Sequence, residues 1–322
     1  MSRSEKAEDA TLALPRILCL HGGGVNAKVF GWQCRSIIRV LTPYFRLVFA
    51  DGPFECHPHP DIVPVYGEHG PFYRWLRWMD RHEPVPAHEA CKSILEGLQK
   101  FMDADEGTGE WVGVLGFSQG AKIAGSLLWS QEWFKEKWKE RKANRGLNVN
   151  GNGNGHSVGG GGPFGSAQDE EEEVVLLRDN TRGGKAVEFK FGVVMAGSAP
   201  TVMLDPRPPK DQWGYAGGYE YDSRSVPRYV ETADKTSLSF SDWPSLAEVE
   251  GGEHVITLPT LHVHGLADPG LERHRKLLEL YCKRGTTKLV EWGGDHRLPI
   301  KTADVEPVTG KIMEMAWETG VI

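Results

Sequence analysis

Short apolar runs alternate along the chain with longer stretches in which apolar residues recur every three or four positions. The first kind suits strands buried on both faces, and the second suits helices packed against them. The strand runs fall at residues 16–20, 46–50, 111–115, 189–196, 260–264 and 288–292. The helical stretches fall at 27–41, 86–103, 119–131, 270–283 and 305–317. This alternation predicts an α/β protein with a mostly parallel central sheet flanked by helices. Several strand runs are followed at once by Gly, Asp or Ser, and loops at the carboxyl ends of parallel strands are where ligands bind.

Two stretches break the rhythm of what otherwise reads as one domain spanning residues 1–322. Residues 145–173 hold Asn-Gly repeats, four consecutive glycines and four consecutive glutamates. Such a segment cannot bury enough apolar surface to offset its ordering entropy, so it reads as a disordered surface insertion. Residues 201–255 are rich in aromatics and turn formers, among them Trp213, Tyr215, Tyr219, Tyr221 and Trp243. Lying between two sheet strands, they read as a cap or lid over the site, the alternative being an ordinary long connection packed on the edge of the core.

Charge narrows the partners. The 322 residues carry a net charge of −7 and no block of Lys and Arg, which argues against nucleic acid or an anionic membrane surface as a partner. The five cysteines are scattered without CxxC pairs, which fits buried thiols in a reducing compartment better than a disulfide framework or a zinc site. The first ten residues are polar and charged, with no apolar core for a secretory signal, and the early apolar run 17–20 is too short to span a bilayer. The expectation is a soluble cytoplasmic protein.

Candidate chemistry begins at Gly116-Phe-Ser118-Gln-Gly120, a G-x-S-x-G pentapeptide between an apolar strand and a small-residue helix start. In that setting the serine occupies a sharp turn and its glycine neighbours leave room for the backbone. A serine hydroxyl needs a base, and in this architecture the order is Ser, acid, His. Asp268, in the turn after the strand at 260–264, is the candidate acid, and His296, in the Gly-rich loop after the strand at 288–292, is the candidate base. Asp295 is a rival acid, disfavoured because adjacent loop residues seldom reach the geometry needed to orient a neighbouring imidazole. Leu20-His-Gly-Gly-Gly24 follows the first strand, and glycines there let backbone amides approach an oxyanion. The candidate donors are the amides of Gln119 and Gly23, with Gly22 as a third. His262 and His264 share a strand face, but no third ligand at metal spacing accompanies them, so no metal is expected. The candidate substrate contacts are His21, Phe54, Tyr73 and Trp213; the aromatics at 54–78 suit either a sizeable acyl group or the core.

These residues together resemble the fungal FSH family of small serine hydrolases. The resemblance rests on Arg16-Ile-Leu-Cys-Leu-His-Gly22, Phe49-Ala-Asp-Gly-Pro53, the pentapeptide at 116–120, the stretch 261–268, and Gly293-Gly-Asp-His-Arg-Leu-Pro299. The last reads Gly-Gly-Asp-His where the family's turn reads Gly-Gly-His. The resemblance implies an α/β-hydrolase fold, a triad of Ser118, Asp268 and His296, and action on esters and thioesters without a cofactor. It also implies a role in polyketide secondary metabolism, on a small-molecule ester or an acyl thioester borne on a synthase carrier. Two other readings remain at this stage: a general carboxylesterase, and a catalytically idle binding protein on a hydrolase fold.

Overall fold

The structure is a computed structural model that describes residues 9–149, 174–205 and 255–322. Six parallel strands form its central sheet: β1 (Arg16–Leu20), β2 (Arg46–Ala50), β5 (Trp111–Phe117), β8 (Phe191–Met195), β9 (Thr260–Gly265) and β10 (Thr287–Trp292), in the order β10-β9-β8-β5-β1-β2. Two short antiparallel pairs stand apart from it, β3 (Phe54–Cys56) with β4 (Phe72–Arg74) and β6 (Arg178–Asp179) with β7 (Lys185–Ala186). The helices are α1 (Ala27–Gln33), α2 (Arg35–Leu41), α3 (Val63–Tyr66), α4 (Ala87–Ala104), α5 (Gln119–Val149), α6 (Leu271–Leu280) and α7 (Thr302–Glu318).

The sheet is covered on both faces, and β1 shows how its sequence permits this. All five of its residues are buried. Because successive side chains of a strand point to opposite faces, Ile17 and Cys19 enter one core with Phe30, Ile37, Val308 and Ile312, while Leu18 and Leu20 enter the other with Ile94, Leu98, Ile123 and Leu127. Arg16, fully buried at the head of the strand, is paired with Asp179 at 2.8 Å and Asp105 at 3.5 Å, and its Nε donates to the Gly109 carbonyl at 2.7 Å. A buried charge is tolerable only when paired in this way.

Several boundaries differ from the sequence pattern. The stretch 27–41 is two helices, since Cys34, at φ −80° and ψ 2°, ends one and begins the next. Asn26 caps α1 by accepting from the Val29 amide, while Asp51 accepts from the Ala27 amide. Helix α5 runs on from Gln131 to Val149, through a charged stretch of good helix formers free of Pro. Residues 145–149 of the expected insertion therefore continue the helix, and its remainder, 150–173, lies outside the described residues. So does most of the expected cap. Residues 201–205 run along α5, with the Val202 and Leu204 amides donating to the hydroxyls of Ser126 and Ser130.

All five cysteines are free thiols. Among the described residues, no helix is long and apolar enough to cross a membrane.

Candidate active site

Parallel strands point all their carboxyl ends the same way, and three of those ends supply the site. Ser118 follows β5 directly, Asp268 lies three residues beyond β9, and His296 four beyond β10. The turns after β9 and β10 hold each other, with the Leu266 amide on the Trp292 carbonyl at 2.8 Å and the Ala267 amide on Gly294 at 2.9 Å. Gly265 is needed for that approach, since a Cβ there would lie 2.4 Å from the Asp295 carbonyl oxygen.

Ser118 has φ 53°, in the left-handed region that a side chain rarely adopts. Its amide donates to the Met195 carbonyl at 2.9 Å, which ties the turn to β8. The flanking glycines are required sterically. A Cβ on Gly116 would lie 2.2 Å from the Gly120 oxygen, and one on Gly120 would lie 2.1 Å from the Leu20 oxygen. The strained turn is thus packed against the end of β1.

The Ser118 hydroxyl donates to His296 Nε2 at 2.9 Å, and His296 Nδ1–H donates to Asp268 Oδ2 at 2.6 Å. Asp268 Oδ1 accepts from the Gly270 amide at 2.7 Å, which fixes the carboxylate's orientation. Burial raises the Asp268 pKa, but the hydrogen bond and charge of His296, aided by the Gly270 amide and His274, outweigh it and leave the group below its ordinary value. Asp268 thus stays ionised through the ordinary carboxylate range. Asp295, the rival acid, is half exposed and faces Arg297 at 3.4 Å.

Gly22 and Gly23 lie against this pair. A Cβ on Gly22 would sit 3.5 Å from Ser118 Cβ, and one on Gly23 would sit 3.1 Å from Gln119 Cδ. Among the described residues the amides of Gly22, Gly23 and Gln119 have no acceptor, so they are available to an oxyanion. The Gln119 side chain is committed elsewhere: its oxygen accepts from the Trp75 and Leu76 amides and its nitrogen donates to the Leu76 carbonyl. It therefore clamps the loop that follows β4 over the first turn of α5.

The candidate substrate contacts fare differently. His21 is a correction: it is fully buried, its Nδ1–H donates to the Gly22 carbonyl at 2.6 Å, and its Nε2 accepts from the Gly52 amide at 2.9 Å. With both ring nitrogens spent on the backbone, it braces the end of β1 against the loop after β2 and presents nothing to a substrate. Tyr73 pairs through its backbone with Gly24 and Val25, holding the glycine strip in place. Phe54 lies beneath the Arg74 guanidinium, 4.8 Å from its ring centroid. Trp213 is outside the described residues. Of the other aromatics at 54–78, Phe72 and Trp75 belong to the core.

Trp78, one of the aromatics at 54–78, stands near the site, and one further residue there, His274, escaped the sequence reading. The Trp78 indole is the nearest neighbour of Gly23, 2.8 Å from where a Cβ would be, so it borders the glycine strip. His274, on α6, is buried, and its Nδ1 is 3.8 Å from Asp268 Oδ2. Its position six residues after the acid on a helical stretch was the only available cue.

The buried histidines make a testable statement about acid stability. Burial lowers the pKa of His21 to about 4, of His262 to about 3 and of His264 to about 4, from an ordinary 6.5. Below 6.5 the unfolded chain takes up protons that the folded one refuses. Stability contributed by these neutral imidazoles is therefore complete above pH 6.5 and lost as the pH falls toward 4. Each proton corresponds to about 1.4 kcal/mol per pH unit. Urea denaturation at a series of pH values should show stability falling between pH 6.5 and 4 with a slope of more than one proton. A flat profile over that range would contradict the assigned burial.

A strained serine after β5, a histidine after β10 and a carboxylate after β9, set at one edge of a parallel sheet, define the α/β-hydrolase class of serine hydrolases. Residues 11–308 match the family described as Serine hydrolase (FSH1), and the chain belongs to that family. It is 39% identical to the esterase pigG of Monascus ruber, over 100% of this chain and 98% of that protein. It is 37% identical to the esterase claE of Penicillium crustosum over 100% of both chains. With the esterase dbaE of Emericella nidulans the identity is 38%, over 99% of this chain and 96% of that one. Among solved structures, Zea mays acyl-protein thioesterase 2 aligns over 96% of each chain at 14% identity and a TM-score of 0.44, too remote for anything to be carried across.

Proposed function

We propose that the protein is an esterase or thioesterase that releases an acyl group through an acyl-enzyme on Ser118. The observation that carries this reading is the serine turn itself, with its hydroxyl 2.9 Å from His296 Nε2 and that ring 2.6 Å from Asp268. His296 takes the hydroxyl proton as Ser118 attacks the carbonyl, and Asp268 holds the imidazole in the tautomer whose Nε2 lone pair is free. The amides of Gln119 and Gly23, with Gly22 beside them, receive the oxyanion. His296 then returns the proton to the leaving alcohol or thiol. Water activated by the same imidazole attacks the acyl-enzyme, and the free acid departs. The chemistry calls for no metal or organic cofactor. The similarity to pigG, claE and dbaE, each named an esterase, supports an ester-type substrate.

The finer reading is a cytoplasmic enzyme of fungal polyketide metabolism, acting on a small-molecule ester or on an acyl thioester carried by a synthase. The reading keeps a single hydrolase domain; the lid expected at 201–255 lies, apart from 201–205 and 255, outside the described residues. Turnover of an acyl chain presented as a carrier-bound thioester, compared with the same chain as a simple ethyl ester, tests the substrate. The reading expects a kcat/KM at least about tenfold higher for the carrier-bound form, or 1.4 kcal/mol of transition-state stabilisation. Equal rates would leave a general carboxylesterase.

A further inference from the structure

Acyl transfer uses one imidazole on Asp268, yet the structure aims two at it. Asp268 Oδ2 lies 2.6 Å from His296 Nδ1 and 3.8 Å from His274 Nδ1. The ligand atoms of these three residues all fall within 4.8 Å of one another. His274 is only 2% exposed, and its Nδ1 has no hydrogen-bond partner among the described residues. A buried, unsatisfied ring nitrogen costs about 1–3 kcal/mol and is rare enough to require a reason. At 3.8 Å the carboxylate is too far to supply one.

We propose that Asp268, His274 and His296 form an inhibitory site for a zinc-class divalent cation, bound through Asp268 Oδ2 and the Nδ1 atoms of both histidines. The proposal rests on the reading of His296 as the base of the reaction. Two imidazole nitrogens and a carboxylate oxygen are a zinc donor set, each about 2.0–2.2 Å from the ion. Tetrahedral geometry at that radius separates donor atoms by about 3.4 Å. The His274–Asp268 spacing is already close to this, and the His296–Asp268 contact has to widen by less than about 1 Å. Asp268 Oδ1 remains on the Gly270 amide, the kind of outer contact that orients a ligating carboxylate. The fourth position falls to water.

Inhibition follows from the proton count. In the active arrangement His296 carries its proton on Nδ1 and offers the Nε2 lone pair to Ser118. The cation takes the Nδ1 lone pair, so that proton moves to Nε2 and none is released overall. An Nε2–H group cannot accept the serine proton, and Ser118 becomes unreactive while its side chain stays in place. The metal thus takes the place of the His296 Nδ1 proton between that ring and Asp268. Among the described residues, no third His, Cys, Asp or Glu joins His262 and His264 in a group that could hold a metal, although the Cys282 thiol lies 3.4 Å from His262 Nε2. The adjoining histidine ring, His274, lies 5.7 Å from that of His264 and turns toward Asp268 instead.

The test separates metal binding from turnover. Calorimetric titration of Zn²⁺ into the Ser118→Ala protein should show one ion bound per chain. The Ser118→Ala/His274→Gln protein should bind it at least about tenfold more weakly, with His274→Asn as a second replacement if Gln does not fold. In the wild type, Zn²⁺ should abolish labelling of Ser118 by a fluorophosphonate, and a chelator should restore it. Absence of binding to Ser118→Ala, or equal affinity in the double variants, would overturn the site and send any zinc effect to surface histidines. A metal-free wild type that is never labelled would instead count against the triad, and the calorimetry would still decide the metal site.

Discussion

Ser118→Ala is expected to lower kcat on an activated ester by about 10⁴- to 10⁶-fold while the protein remains folded. The size of the effect follows from the chemistry. Without the hydroxyl there is no acyl-enzyme, and what remains is whatever the glycine strip and the Gln119 amide contribute by polarising the carbonyl toward water. The fold should survive because alanine tolerates φ 53° no worse than serine does, and the Ser118 amide keeps its bond to Met195. A melting temperature close to the wild type would confirm that lost activity reflects lost chemistry. Retention of even a tenth of the wild-type kcat would mean that another group makes the first attack.

Asp268→Asn should cost about 10⁴-fold in kcat with little change in KM. The carboxylate holds the proton of His296 on Nδ1 at 2.6 Å and leaves Nε2 free for Ser118. An amide can satisfy the ring by donating to Nδ1, which stabilises the wrong tautomer and removes the base. It also removes the charge that stabilises an imidazolium as it forms. Asp295→Asn is the internal control. Asp295 is half exposed and faces Arg297 at 3.4 Å, so its removal should change kcat less than about threefold. Kinetics of the two variants on one substrate separate the acids. Equal losses, or a larger loss at Asp295, would reassign the acid.

Much of this was legible in the sequence because the relevant patterns are local. The strands at 16–20 and 46–50 each open on an arginine followed by four apolar residues, and match the structure at both boundaries. The strand-to-helix passage at Ser118 carries its own steric requirement in Gly116 and Gly120. Asp268 and His296 could be picked out because each follows a strand of the same parallel sheet, and that topology brings their side chains together.

What could not be read depends on distant contacts. His21 sits in the right loop for a substrate contact, yet its orientation is set by the Gly22 carbonyl and by the Gly52 amide, which lies beyond the next strand. The break at Cys34 has no Gly or Pro to announce it, since it arises where the chain bends to bury both α1 and α2 against the sheet. The end of α5 was misplaced because Lys, Glu and Arg on a solvated helix give no apolar period to follow. His274 was invisible for another reason: a histidine on an amphipathic helix reads as surface or core until the helix is docked against Asp268.

The most direct measurement is reaction of the wild type with a fluorophosphonate probe, followed by mass mapping of the modified peptide. The account predicts one adduct, on Ser118, absent from Ser118→Ala and strongly slowed in Asp268→Asn. An adduct on any other residue, or none on a folded and metal-free wild type, would contradict the claim that this turn holds an activated nucleophile.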